Sequence, residues 1–392
     1  MIMEKDFLQS TMSRREFGKW CLRCGLGLAV SPILLDMFKL PAHAAVPAGQ
    51  KGFIGSKEAL FYVKLDDKRV QCQLCPRYCT LTDGMRSFCR VREPHQGKLY
   101  THAYGNPASA NPYDPIEKKP LFHFLPATTT FSIATAGCNF RCKCCQNWQI
   151  SQVPPEETNN YALAPEEVVA QAFQYRCPTI AYTYSEPSIF YEYMLDTAKI
   201  ARAKGLRNIY HSNGSLNAQP AEELAQYLDA ANIDLKGFTQ EFYSEIPEGF
   251  LDTVLETLKI LRRKGVWLEI TTLVIPTFND DKKQIQAMAQ WIHDNLGADT
   301  PLHFSRFFPL HRLKNISPTP VSTLEMARAT ATDAGLHYVY IGNVPGHAAE
   351  STYCPQCKKP VIRRQGYSII EKNIDAAGRS RCCNYPIAGV WG

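Results

Sequence analysis

Between residues 130 and 343 the chain repeatedly switches its hydrophobic period, and this alternation limits the fold more than any other feature. Short apolar, β-branched runs at 131–136, 179–184, 207–212, 232–237, 266–275, 302–308 and 337–342 read as strands. At 165–175, 188–205, 220–230, 250–265, 283–297 and 323–335, apolar residues recur at helical spacing. Gly205, Gly265, Gly297 and Gly335 stand where helices stop. Strands alternating with helices pair in parallel through right-handed crossovers, so the pattern predicts a parallel α/β sheet or barrel. In parallel barrels the reactive groups sit at the C-terminal ends of the strands, and several polar blocks of this chain fall there.

The first such end carries GCNFRCKCCQNWQIS, where Cys138, Cys142 and Cys145 are spaced C-x3-C-x2-C. Three close thiolates can hold three irons of a [4Fe–4S] cluster and leave the fourth iron open to an outside ligand. A cluster with an open iron can bind and reduce a small molecule; one held by four cysteines normally just carries electrons. A zinc knuckle is the competing reading, but zinc sites usually show four ligands in paired groups. Fifteen cysteines are many for 392 residues, and most are grouped. Cys72, Cys75, Cys79 and Cys89 form C-x2-C-x3-C-x9-C, which suits a tetrahedral zinc, a second Fe–S cluster or a metal-free cysteine-rich loop. Cys354 and Cys357 precede a β-like stretch and then Cys382 and Cys383, as in a small zinc-ribbon-like or rubredoxin-like knuckle. Adjacent thiols chelate one metal poorly, which leaves Cys382 to replace the thiolate missing at Ser380, or the knuckle without metal.

The cysteine motif, with AYTYSEPSIF (181–190), HSNGSL (211–216), NIDLKG (232–237) and LEITTLVIPTFND (268–280) in order behind it, resembles radical S-adenosylmethionine (SAM) enzymes. More narrowly, residues 70–391 resemble the AmmeMemoRadiSam-system radical SAM enzymes, a branch related to pyruvate formate-lyase activating enzymes. The resemblance implies a partial (β/α)6 TIM-like radical SAM barrel at 127–343. Before it would lie an N-terminal Cys-rich module and linker at 45–126, and after it a C-terminal zinc-ribbon-like tail at 344–392. It implies that the open iron chelates SAM, and that reduction of the cluster releases methionine and a 5′-deoxyadenosyl radical able to abstract hydrogen from a substrate. Glu186 would meet the methionine ammonium, and Ser212 and Asn213 the ribose or methionine part. Asp234 and Lys236, on one strand face, would act at the cofactor, with Lys236 reaching the SAM carboxylate. Val274 and Ile275 would form the adenine wall, and His303 and Arg306 the substrate side. Plainer readings stand beside these: a helix-start acid at Glu186, an Asn-Gly turn at Asn213, a core strand at Val274 and Ile275. Cys144 occupies a position that is usually aromatic in such enzymes, and it is not expected to ligate the cluster. Implied partners are a flavodoxin-like or ferredoxin-like electron donor and proteins with AMMECR and Memo domains.

Two other functions compete with hydrogen abstraction. One is an activase that installs a glycyl radical, although activases usually carry a G-P-G-x-R-type block where this chain has HFLPATTTFSIATAG. The other is an Fe–S electron-transfer protein without SAM chemistry, which would not need Glu186, Asp234 or Lys236. A net charge of +6 without a Lys/Arg run argues against nucleic acid. No apolar stretch reaches the roughly 20 residues of a membrane span. Residues 1–44 read as a leader: Ser13-Arg14-Arg15-Glu16-Phe17-Gly18-Lys19 resembles the twin-arginine export signal, and Ala42-His43-Ala44 a cleavage site. The expectation is a periplasmic protein, with a cytoplasmic one that keeps its leader as the alternative.

Overall fold

All seven strand-like runs form strands, and they lie side by side in chain order. The computed structural model describes residues 48–392, so the expected leader falls outside the described residues. The strands are β2 (Thr129–Ala134), β3 (Thr179–Tyr182), β4 (Arg207–Ser212), β5 (Ala230–Asp234), β6 (Trp267–Val274), β7 (Leu302–Arg306) and β8 (Val339–Gly342). Every neighbouring pair among them is parallel. An antiparallel strand, β1 (Ser109–Pro115), extends the β2 edge, giving the eight-stranded order β1-β2-β3-β4-β5-β6-β7-β8.

The longest helix of each crossover between the parallel strands is α1 (Pro165–Gln174), α2 (Tyr191–Ala203), α3 (Ala218–Ala225), α4 (Leu251–Arg263), α5 (Lys282–Leu296) and α6 (Val321–Asp333) in turn. Each presents an apolar stripe inward; in α4 it is Leu251, Val254, Leu258 and Leu261, at the spacing that puts them on one side of the helix. At the start of α5 the Asp281 carboxylate accepts from the amides of Lys283 and Gln284, and Gly297 ends the helix at φ +99°.

The Pro-rich stretch 111–126, which reads from its prolines as an extended linker laid against the barrel, is partly built into the sheet. Its first residues belong to β1, where a register shift between Asn111 and Asp114 lets Pro112 and Pro115 sit on an edge strand. The rest is packed inward: Ile116, Leu121, Phe124 and Leu125 form one cluster with Ala181, Ile209 and Ala230 of the strands. Upstream, the Cys-rich module is two small antiparallel sheets of three strands each. Downstream, the tail is a three-stranded antiparallel sheet, Thr352–Tyr353, Pro360–Gln365 and Ser368–Lys372. The tail returns to the 116–126 segment, with Leu125 N donating to Val390 O and Val390 N to His123 O, both at 2.7 Å. Among the described residues no helix is long and apolar enough to cross a membrane.

Candidate active site

The loop after β2 is fixed on three sides before its cysteines do any chemistry. Arg141 N and Lys143 N donate to Pro247 O and Ile246 O, Gly137 N donates to Ile150 O, and Asn147 Nδ2 donates to Tyr184 O beyond β3. Cys138 and Cys142 are buried, Cys145 is half-buried, and all are free thiols. Donors already point at sulfur: Phe140 N lies 3.3 Å from Cys138 Sγ, and Ser151 Oγ is 3.1 Å from Cys145 Sγ. Burial pushes the Cys138 and Cys142 thiols well up and Cys144 to about 11, while the Lys236 ammonium opposes the rise at each. Buried thiols of this kind become thiolates when a metal supplies the compensating charge.

Around this loop stand the ends of β3, β4 and β5. Glu186 is buried just past β3; Ser212 Oγ and Ser188 N donate to its Oε1 at 2.6 and 2.9 Å, and Asn213 N donates to Oε2 at 2.8 Å. It therefore does start the short helical turn Pro187–Phe190, as the plainer reading has it, and it also ties the end of β3 to that of β4. Burial raises its carboxyl, against the pull of these donors. Asn213 bridges the other way: its Nδ2 reaches Asn139 Oδ1 at 2.8 Å and Cys138 Sγ at 3.9 Å, and its Oδ1 accepts from Ser215 N in a turn closed by Gly214 at φ +71°.

Asp234 ends β5, and Lys236 Nζ comes back to its Oδ2 at 2.8 Å. His211 Nε2 lies 3.5 Å from the other oxygen. Burial alone would raise the Asp234 carboxyl, but Lys236 and His211 outweigh it and hold it well below the usual carboxylate range. The same geometry keeps Lys236 charged, since the Asp234 carboxylate overcomes the penalty of burial. The pair is 28 % and 21 % exposed, so it opens toward solvent. Val274 and Ile275, both buried, close the end of β6.

Two residues that sequence reasoning missed hold this cluster. His211, one residue before Ser212, meets Asp234 because β4 and β5 are neighbours in register. Asn279 receives Ile275 N on its Oδ1 at 2.6 Å and donates to Lys236 O at 2.6 Å, pinning the lysine loop to the end of β6. Its signal was a turn-type Asn-Asp pair after a strand.

Of the two residues expected on the substrate side, Arg306 lies at the C-terminal end of β7, its Nε donating to Thr319 O at 2.8 Å. His303 requires a correction. It is only 3 % exposed and its Nε2 is taken up by Glu269 Oε2 at 2.8 Å, although the strand register sets it on the row of Thr271 and Asp234. Glu269 also accepts from Phe122 N, His123 N and Trp267 Nε1. In the tail, Cys382 does not stand in alone for the thiolate missing at Ser380: Cys354, Cys357, Cys382 and Cys383, all expected as accessory ligands, bring their four sulfurs within 4.8 Å of one another.

Residues 132–291 match the family model of the radical SAM superfamily. An uncharacterized protein of Methanocaldococcus jannaschii is 48 % identical over 326 residues, 83 % of this chain and 96 % of that one. A second uncharacterized protein of that organism is 32 % identical over 88 residues, 22 % of this chain and 21 % of the other. Among solved structures, a domain of pyruvate-formate lyase-activating enzyme from Bacteroides vulgatus aligns with 42 % of this chain and 98 % of its own, at 18 % identity and a TM-score of 0.35. A radical SAM methyltransferase from Sphaerobacter thermophilus aligns with 54 % of this chain and 66 % of its own, at 13 % identity and a TM-score of 0.42.

Proposed function

Since the chain belongs to the radical SAM superfamily, we propose that Cys138, Cys142 and Cys145 hold a [4Fe–4S] cluster with one open iron and that SAM binds there. The observation that carries this reading is that the cysteine loop after β2 faces the half-open Asp234–Lys236 pair at the C-terminal end of β5. Bound there, the cluster supplies the electron that splits SAM into methionine and a 5′-deoxyadenosyl radical.

The chain's own residues do the positioning. Lys236 presents a fixed positive charge to the SAM carboxylate, and Asp234 keeps it charged and aimed. Glu186 and Asn213 fix the backbone where the methionine part rests, and Val274 and Ile275 give the adenine an apolar wall that excludes water. The sequential strand order with helices between successive strands supports a sheet that curls into a partial barrel, since doubly wound sheets reverse their order midway. The tail's four thiols suit a single zinc ion, because Zn–S bonds of about 2.3 Å place tetrahedral sulfurs roughly 3.8 Å apart. The radical's target is a carbon–hydrogen bond of a substrate, and a protein or peptide substrate linked to AMMECR or Memo domain proteins follows from the sequence resemblance alone.

The test is anaerobic reconstitution of the full chain with iron and sulfide, followed by dithionite and SAM, with 5′-deoxyadenosine measured by chromatography. Product should form in the wild type and vanish in Cys142→Ala. A full, reducible cluster that yields no product would sink the enzyme reading and leave the electron-transfer one.

A further inference from the structure

Four cysteines outside the β2 loop also meet. Cys72, Cys75, Cys79 and Cys89 line one cavity of about 20 Å³, together with Arg92 and Asn139. A water-sized guest needs about 10–15 Å³, so these thiols surround a space instead of packing against one another. The tail quartet is built differently, with its sulfurs gathered to single-ion distances. Among the described residues no other three metal-binding side chains are drawn together that tightly, so the N-terminal four stand wider apart around their cavity. An iron–sulfur core spreads its thiolates over several irons and fills the room between them, whereas one tetrahedral ion draws them close.

The surroundings suit sulfur that carries negative charge. Arg92 Nη1 lies 3.7 Å from Cys72 Sγ, and Ser87 Oγ 3.1 Å from Cys89 Sγ. Arg92 is buried and held by both oxygens of Glu192 on α2, at 2.6 and 2.8 Å, so its charge cannot swing away. Hydrogen bonds to the sulfurs are among the levers that set a cluster's potential.

We infer that Cys72, Cys75, Cys79 and Cys89 hold a second iron–sulfur cluster, in place of zinc, against the backbone that carries Cys138. The two loops touch. A Cβ added to Gly137 would stand 2.5 Å from Cys89 O. Arg77 Nε donates to Asn139 O at 3.3 Å, and the Arg141 guanidinium donates to Phe88 O. Asn139 follows Cys138 in the chain and lines the N-terminal cavity. A one-electron donor of the flavodoxin or ferredoxin class, itself oxidised by one electron, would reduce this centre, which returns to its oxidised state by passing that electron across the shared wall to the cluster proposed on Cys138, Cys142 and Cys145, a step that rests on that reading.

The test needs no SAM cleavage, so it stands or falls apart from the proposed activity. Iron, zinc and acid-labile sulfide are counted in the anaerobically reconstituted full chain. The wild type should hold more than the about four sulfides of one [4Fe–4S] cluster. The triple variant Cys138→Ala/Cys142→Ala/Cys145→Ala should keep about two or four sulfides and an electron paramagnetic resonance signal on reduction that SAM leaves unchanged. In the fully reduced wild type the two signals should broaden each other. No more than about four sulfides in the wild type, or a variant that holds no sulfide and a second metal ion beside the one assigned to the tail, would overturn the inference. Two clusters without mutual broadening would overturn their placement across one wall, and the wild-type count decides should the variant fail to fold.

Discussion

Asp234 at the C-terminal end of β5 and Glu269 toward the N-terminal end of β6, two residues apart in register, each face a basic partner, and they are committed to different degrees. On β5, Lys236 Nζ makes one of its three hydrogen bonds, to an Asp234 that is 28 % exposed. On β6, Glu269 is fully enclosed and takes four donors, two on each oxygen: His123 N and Trp267 Nε1 on one, Phe122 N and His303 Nε2 on the other. A carboxylate offers about four acceptor sites, so Glu269 has nothing left for a ligand, whereas the Asp234–Lys236 pair does. Buried charge in a strand marks a functional site only when its bonding capacity is unfilled.

Breaking the saturated network should have the largest effect. Glu269→Ala strands His303 and two backbone amides in the interior and should cost about 3–5 kcal/mol of stability. The check is a thermal melt together with 5′-deoxyadenosine formed per folded molecule, which should stay near wild type. Loss of turnover at unchanged stability would reverse the roles assigned to the two carboxylates.

Acid should attack the same network next. His123 has both ring nitrogens engaged, Nδ1 with Ala388 O at 2.6 Å and Nε2 with Tyr340 OH at 2.5 Å. Because a carbonyl only accepts, Nδ1 donates to it, and Nε2 pairs with a hydroxyl that can donate or accept. Burial, only partly offset by Glu269, pushes His123 down to about 4. The unfolded imidazole binds its proton near 6.5, so between these values the unfolded chain holds the extra proton and stability falls as pH drops. The loss approaches about 3 kcal/mol at pH 4. Melting midpoints from pH 7 to 4 should show this slope, and His123→Asn should flatten it.

Lys236→Met probes the unsaturated pair. It should raise the KM for SAM about 10- to 100-fold, the worth of one charged hydrogen bond, while the melt moves by only about a degree or two. A large drop in stability with KM unchanged would make Lys236 a structural residue. The smallest effect is expected at Ser212→Ala, which removes one donor from Glu186 and should weaken SAM binding by about fivefold, near 1 kcal/mol. Titrating SAM against the cluster's spectrum would measure both.

The sheet was legible because its strands and helices differ in period, and the cysteine loop because three thiols at fixed spacing have few other uses. β1 was not, since Pro112 and Pro115 read as breakers until a register shift on an edge strand accommodates them. His303 misled for a related reason. Alternation along β7 says which face a residue takes, but the amides that complete its network come from Phe122 and His123, 180 and more residues earlier in the chain. His211 was missed because its partner lies on the next strand, and only pairing in register reveals it. In the tail, neighbouring thiols at Cys382 and Cys383 looked incompatible with one centre, yet a turn after Ser380 turns both toward Cys354 and Cys357.

The segment that carries Ile116, Leu121, Phe124 and Leu125 fills the space along the strands, and the returning tail is bonded to its end. For the proposed chemistry, entry is from the side where Asp234 and Lys236 meet solvent. An entry shared by cofactor and substrate imposes a queue. SAM must enter before a bulky substrate covers it, and methionine and 5′-deoxyadenosine must wait for that substrate to leave. The kinetic signature is an obligate order of addition, in which excess substrate slows turnover by trapping the spent cofactor behind it.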